Sequence, residues 1–362
     1  MSDKVKHSIF NDSGVLEKLT GRGGEALDEL WGMSWVKSVI GDTSDLLETA
    51  DGLGGEMRHR SQVIVIVASD TVSAMIGGAI SAIGHRLTDT EIFFAGGSLS
   101  SEDYSLLVDK VTGRDFSLMA IAIQEETLEQ RAAFTCVRKL LQDRYGADGM
   151  IKRTILVGND EYFGQEMSRS GGKVLTLPED AEDCYAAGTM AVLLPMAAAG
   201  IDVAAYLEGF KEMLADTCWD ADGVQYGLYL SDCGRREDVI VWQKKLLAFG
   251  RWVCSLHDGV GIDAKAVYMP AQKKALRRDA YGMSFVVEVE DSDTMLPAFP
   301  GCNAEGSMSL LLREEAEAFF GDGESEKQGT LLTIEKLNAE AFGRLAAYVQ
   351  ISLGITKFNL DN

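Results

Sequence analysis

The sequence predicts an α/β protein with parallel sheets covered on both faces by helices, and three observations predict it. Val63-Ile64-Val65-Ile66-Val67 is a short, wholly apolar, β-branched run, which reads as a strand buried on both faces. Comparable runs alternate with segments of helical periodicity, the rhythm of βαβ units. At about 100–200 residues per domain, a chain of 362 residues has room for two such α/β regions.

Residues 1–60 are polar and glycine-punctuated, with apolar anchors such as Leu16, Leu19, Leu27 and Trp31, and read as an irregular, partly helical arm. After the strand at 63–67, the small residues of 75–83 predict a helix. Ile92-Phe93-Phe94-Ala95 follows as a strand and 104–111 as a helix. A strand is expected over 117–123. Ala133, Val137, Leu140 and Leu141 place one apolar face on a helix over 128–145. Strands at 154–157 and 173–177 complete the first region, expected to span 61–185. The nearly uncharged stretch from Met190, broken near Gly200-Ile201-Asp202, predicts helices bridging the two halves over 186–220. The second region, 221–362, is expected to hold strands at 239–242, 266–269 and 285–290, a helix over 244–256, an exposed loop at 321–325 and a closing amphipathic helix over 335–352.

Composition narrows the function. With 34 Lys+Arg against 56 Asp+Glu, the formal net charge is -22. Binding to nucleic acid or anionic membranes is driven by basic side chains neutralising phosphates, so neither partner is expected. No run of 18 apolar residues exists to span a bilayer, and MSDKVKHSIFNDSG lacks the apolar core of a secretory signal. The six cysteines, at 136, 184, 218, 233, 254 and 302, show no CxxC spacing. No metal site is therefore expected, and dispersed thiols fit a reducing cytoplasm. Nothing in the sequence asks for a cofactor.

In an open parallel sheet, ligands bind beyond the carboxyl ends of the strands. The segments to search are therefore Ala68-Ser69-Asp70-Thr71, Gln124-Glu125-Glu126-Thr127 and Gly158-Asn159-Asp160. A phosphate site needs glycines for close approach, then hydroxyls and free N–H groups. The first segment has no glycine. The second carries adjacent carboxylates, and unit charges 4 Å apart at an effective dielectric near 20 repel by about 4 kcal/mol. Glu125 and Glu126 read as acids at a helix N-terminus, with Thr127 as its cap. His257-Asp258 reads as a surface histidine beside a turn aspartate, and Lys273-Lys274 with Arg277-Arg278 as a solvated basic face.

Three stretches resemble the bacterial glucose-6-phosphate isomerase family: FFAGGSLSSEDYSLLVDKVTGRDFSLMAIAIQEETLEQRAAFTCVRKLLQDRYG at 93–146, YAAGTMAVLLPMAAAGIDVAAYL at 185–207, and LLTIEKLNAEAFGRLAAYVQIS at 331–352. The resemblance implies two SIS-type doubly wound parallel-sheet subdomains in a three-layer αβα arrangement. It also implies a sugar or sugar-derivative ligand and a homodimer. The motifs that carry the family's chemistry are altered. Its GIGGS loop falls on Ala68–Val72, leaving Ser69 and Thr71 as substrate-binding candidates. Its SKSGTT phosphate loop falls on residues 122–127, where Gln124, Glu125 and Thr127 are candidates and Glu125 replaces glycine. The arginine of its GGR motif is Cys184. Asp258 stands where the catalytic-base glutamate would be. No histidine lies near 279–281, leaving Asp279, with Glu126, as a further candidate acid or base. The family's final lysine-bearing segment is expected to be missing beyond Asn362. These replacements lead to the expectation of a catalytically degraded paralogue with impaired phosphate binding. The alternative is an active sugar isomerase with relocated acid and base residues, acting on glucose-6-phosphate or a related, unphosphorylated sugar.

Overall fold

The computed structural model describes residues 5–10, 15–84, 89–158, 163, 171–178, 181–218, 222–232, 236–269, 271–277, 280–290, 293–297, 306–321 and 328–361. The chain forms two compact units. The first comprises Ser34–Ile80 and Gly84–Ala204; the second comprises Met1–Met33, Ser81–Ile83 and Ala205–Asn362. This division differs from the expected one. Strand β1 (Val5–Phe10) and helix α1 (Val15–Gly32) belong to the second unit, whereas α2 (Ser34–Ile40) and α3 (Ser44–Arg60) belong to the first. The supposed arm is therefore regular structure shared between the two units. The expected bridging segment likewise divides at Ala204.

The first unit then runs β2 (Val63–Val67), α4 (Asp70–Ala79), β3 (Glu91–Ala95), α5 (Ser101–Val111), β4 (Phe116–Ala122), α6 (Leu128–Lys152), β5 (Thr154–Gly158), β6 (Lys173–Leu175) and, after a 3-10 turn at Asp183–Gly188, α7 (Met190–Ala198). Its strands are all parallel, in the order β3-β2-β4-β5-β6. Every residue of β2, β4 and β5 is buried, which is why these segments read as unbroken apolar runs. On one face Val65, Leu118, Phe134, Val137 and Leu141 form the core, with the Phe134 ring 4.2 Å from that of Phe163. All nine residues of α7 are buried, which accounts for its missing charge. Trp35 stacks on Tyr185 at 5.4 Å, and Arg58 Nη1 donates to the Ala197 carbonyl at 2.6 Å, satisfying the carboxyl end of α7.

The second unit continues with α8 (Val203–Ala215), α9 (Asp222–Asp232), β7 (Arg236–Val241), α10 (Leu247–Gly259), β8 (Asp263–Tyr268), β9 (Tyr281–Val289), the short pair β10 (Met295–Leu296) and β11 (Gly306–Ser307), α11 (Met308–Gly321), β12 (Gly329–Lys336) and α12 (Ala339–Asp361). The sheet order is β1-β12-β9-β7-β8, parallel except for β1, which is an antiparallel edge on β12. The closing helix begins later than expected. Thr330, Leu331, Leu332 and Ile334 are buried in β12, and α12 starts where the Asn338 side chain accepts from the Ala341 N–H at 2.8 Å. Residues 341–356 of α12 are buried all round rather than on one face. Their polar groups are satisfied across helices: the Ser352 hydroxyl reaches the Gly223 carbonyl at 3.0 Å and the Thr356 hydroxyl the Gly227 carbonyl at 3.1 Å. Gly343 meets the Tyr206 carbonyl so closely that a Cβ there would overlap it. The exposed loop expected at 321–325 falls almost wholly outside the described residues, only Gly321, the end of α11, lying within them.

Candidate functional site

The order β3-β2-β4-β5-β6 reverses direction between β2 and β4, and open α/β sheets hold ligands at this switch point. Three chain segments converge there. Gly96, at φ +105°, turns the chain at the end of β3. A Cβ on it would crowd Val67, the Ala68 carbonyl and the Gln130 side chain, so the ends of β3 and β2 and the start of α6 lie against one another. Ser69 caps α4, its hydroxyl oxygen accepting from the Val72 N–H at 3.3 Å. Thr127 caps α6 in a reciprocal box: its hydroxyl accepts from the Gln130 N–H at 3.2 Å, while Gln130 Oε1 accepts from the Thr127 N–H at 2.8 Å.

The acids of this region take three different positions. Glu125 is exposed. Glu126 turns inward instead of decorating the helix terminus: its Oε1 accepts from the buried Phe163 N–H at 3.0 Å, and Arg131 lies 3.6 Å from Glu125 and 3.7 Å from Glu126. Of the two acids expected at the helix N-terminus, Glu125 faces solvent, whereas a backbone N–H draws the Glu126 carboxylate into the core. The third acid is one that sequence reasoning left out of the candidates. The Ser69 hydroxyl lies beside the Asp183 carboxyl; burial holds that carboxyl above the usual aspartate range, and the neighbouring hydroxyl opposes the rise. Next to it, the Cys184 thiol lies 3.4 Å from Glu182 Oε2. The signal for Asp183 was available only as adjacency to Cys184, since its partner lies on a distant segment.

Among curated proteins, glucose-6-phosphate isomerase of Staphylococcus saprophyticus is 30% identical over 286 residues, covering 74% of this chain and 61% of that protein. The isomerase of Alkaliphilus metalliredigens is 24% identical over 277 residues, covering 70% and 60%. Among solved structures, a glucose-6-phosphate isomerase from Chlamydia trachomatis superposes with a TM-score of 0.83 at 12% identity, over 99% of this chain and 85% of that one. The chain is a divergent relative of the glucose-6-phosphate isomerases. Its fold is the two-sheet SIS arrangement that the resemblance implied. No protein-family profile matches the chain. It spans about three fifths of the length of the curated isomerases that it matches.

The positions carried over from the isomerase motifs are divided between the two units. Ser69, Thr71, Gln124, Glu125, Thr127 and Cys184 all belong to the first unit, and the segments after β2 and β4 end at the same sheet edge. Asp258 belongs to the second unit, at the carboxyl end of α10. Its Oδ1 accepts from the Ala264 N–H at 3.0 Å, at the amino ends of β7 and β8, where it ties α10 to the strand that follows. Asp279 lies outside the described residues. His257 is not at the surface: it is fully buried, with Nδ1 2.5 Å from Glu237 Oε2. Tyr226 donates its hydroxyl to the other oxygen of Glu237. Arg277 is not part of a free basic face either. It bonds Asp238 at 2.9 Å and Asp263 at 2.8 Å, while Arg278 lies outside the described residues. Among the described residues no group of His, Cys, Asp and Glu forms a metal-binding cluster, and no helix is long and apolar enough to cross a membrane.

Proposed function

We propose that this chain is a sugar-binding member of the glucose-6-phosphate isomerase family that no longer carries out aldose–ketose isomerisation of sugar phosphates. The observation that supports this reading is the state of the two hydroxyls at the switch point. The Thr127 hydroxyl oxygen is oriented by the Gln130 N–H of the α6 capping box, and the Ser69 hydroxyl sits between the Val72 N–H and Asp183. A dianionic phosphate brought to these hydroxyls would also meet Asp183 and the exposed Glu125, which repel it. Arg131, the cation beside this loop, already pairs with both glutamates. Isomerisation also needs a base to move a proton between C1 and C2 and a cation near the developing oxyanion; Cys184 in place of the family's arginine leaves that charge without a guanidinium.

A coupled assay of glucose-6-phosphate and fructose-6-phosphate interconversion tests the reading. The expected result is no turnover; a rate in the usual range of about 1–1,000 s⁻¹ refutes it. Thermal denaturation separates the ligands. A ligand at 100 times its dissociation constant adds about 2.7 kcal/mol, and the stabilisation is expected from a neutral sugar rather than a sugar phosphate.

One observation favours the second reading, an active isomerase of unphosphorylated sugars. Asp183, with a raised carboxyl beside a hydroxyl at the switch point, has the character of a general acid or base. Turnover of a neutral aldose that is lost in Asp183→Asn would select it.

A further inference from the structure

A cleft of about 270 Å³ lies beside the switch point in the first unit, over the terminal strand of the sheet. Its walls come from α4 on one side and α5 on the other, with Phe93 and Phe94 of β3 between them. The side chains of β3 alternate, so the two rings serve different faces: Phe94 approaches Gly77 of α4, and Phe93 packs with Leu107 and Tyr104 of α5. All five residues of β3 are only partly buried, unlike those of the interior strands, so the aromatic surface is open to an occupant.

The polar groups of this cleft carry one sign. Asp70 reaches it from the first turn of α4 and Asp103 from the first turn of α5. Both are exposed, and neither is hydrogen-bonded or ion-paired to another described residue. None of the described residues lining the cleft is Lys, Arg or His. Two uncompensated carboxylates above an aromatic and aliphatic floor complement a positive charge attached to an apolar body. Aromatic lining from Phe93, Phe94 and Tyr104 offers a cation–π attraction that a neutral or anionic ligand does not receive.

We propose that the cleft over β3 binds a small organic cation, a protonated amine carrying an aromatic or aliphatic body. The cleft adjoins the switch point through Asp70 and Gly96, but neither Ser69 nor Asp183 lines it, and the proposal does not depend on the fate of the isomerase reaction.

Calorimetric titration of the full chain with 2-phenylethylamine, 2-phenylethanol and phenylacetate tests this. The amine is expected to bind at least about fivefold more tightly than the alcohol, and phenylacetate not at all, a preference that falls as salt is raised. Asp103→Asn should remove most of the preference while leaving the alcohol's affinity unchanged. Asp183→Asn should leave the amine's affinity as it is. Equal affinity for amine and alcohol overturns the proposal, as does an amine preference that survives Asp103→Asn or vanishes in Asp183→Asn. Absence of amine binding up to about 10 mM overturns it equally.

Discussion

The Ser69 hydroxyl lies beside the Asp183 carboxyl, bringing the turn after β2 against the 3-10 turn that leads into α7. One side chain thus both caps a helix and holds a partly buried acid at the switch point of the sheet.

The burial of Asp183 makes stability depend on pH in a stated direction. Burial raises the Asp183 carboxyl, so the folded chain holds this proton more tightly than the unfolded chain does. Its contribution therefore falls as pH rises from about 3.9, the ordinary aspartate value, through the raised folded value. Asp183→Asn is expected to flatten this slope. Ser69→Ala removes the donor, raises the carboxyl further and costs about 1–3 kcal/mol at neutral pH. Urea denaturation at a series of pH values from acid to neutral measures both.

Glu237 and His257 are both fully buried, and Tyr226 completes the network. Removing one member strands a buried polar or charged partner. Glu237→Gln and His257→Phe are each expected to cost about 3–5 kcal/mol. Replacing both by apolar residues should cost less than the sum of the single changes, which a double-mutant cycle measures directly. Additive losses would show that the pair does not act as a unit.

Two glycine substitutions should move stability in opposite directions. Gly343→Ala forces a methyl group against the Tyr206 carbonyl and separates α8 from α12, at a cost of about 1–3 kcal/mol or more. Gly52 lies within α3 with open space where its Cβ would point. Gly52→Ala should stabilise the chain by about 0.5–1 kcal/mol through helix propensity. Chemical denaturation midpoints at constant m-value report both.

Thr127→Ala removes the hydroxyl that accepts from Gln130 and should cost about 1 kcal/mol, whereas Thr127→Ser retains the cap. If that hydroxyl serves only the helix, neither change alters the response to inorganic phosphate in a thermal shift. A phosphate-dependent stabilisation lost in Thr127→Ala would assign the hydroxyl to a ligand instead.

The parallel strands of the first unit were legible because burial on both faces demands unbroken β-branched and apolar runs, as in Val63–Val67. The cap at Thr127 was legible because capping is a local interaction of neighbours. β1 was hidden, since a six-residue edge strand with Lys6 and His7 carries no distinctive apolar pattern and draws its partner from β12, at the other end of the chain. β12 was missed, only its last two residues falling inside the expected helix, because Leu331, Leu332 and Ile334 fit either period over so short a run.

By itself the sequence determined the α/β class, its kinship with the sugar-phosphate isomerases, the negative charge and the loss of glycines and cations from the loop motifs. These follow from composition, periodicity and residue identity, which are local. Only the tertiary structure decided where the remaining polar groups point. Glu126 turns into the core toward Phe163, Asp183 receives Ser69, His257 is buried against Glu237, and Asp258 ties α10 to β8. The physical reason is that a side chain's hydrogen-bond partner is set by which segments the sheet order brings together, and that pairing is not written in the spacing of neighbours along the chain.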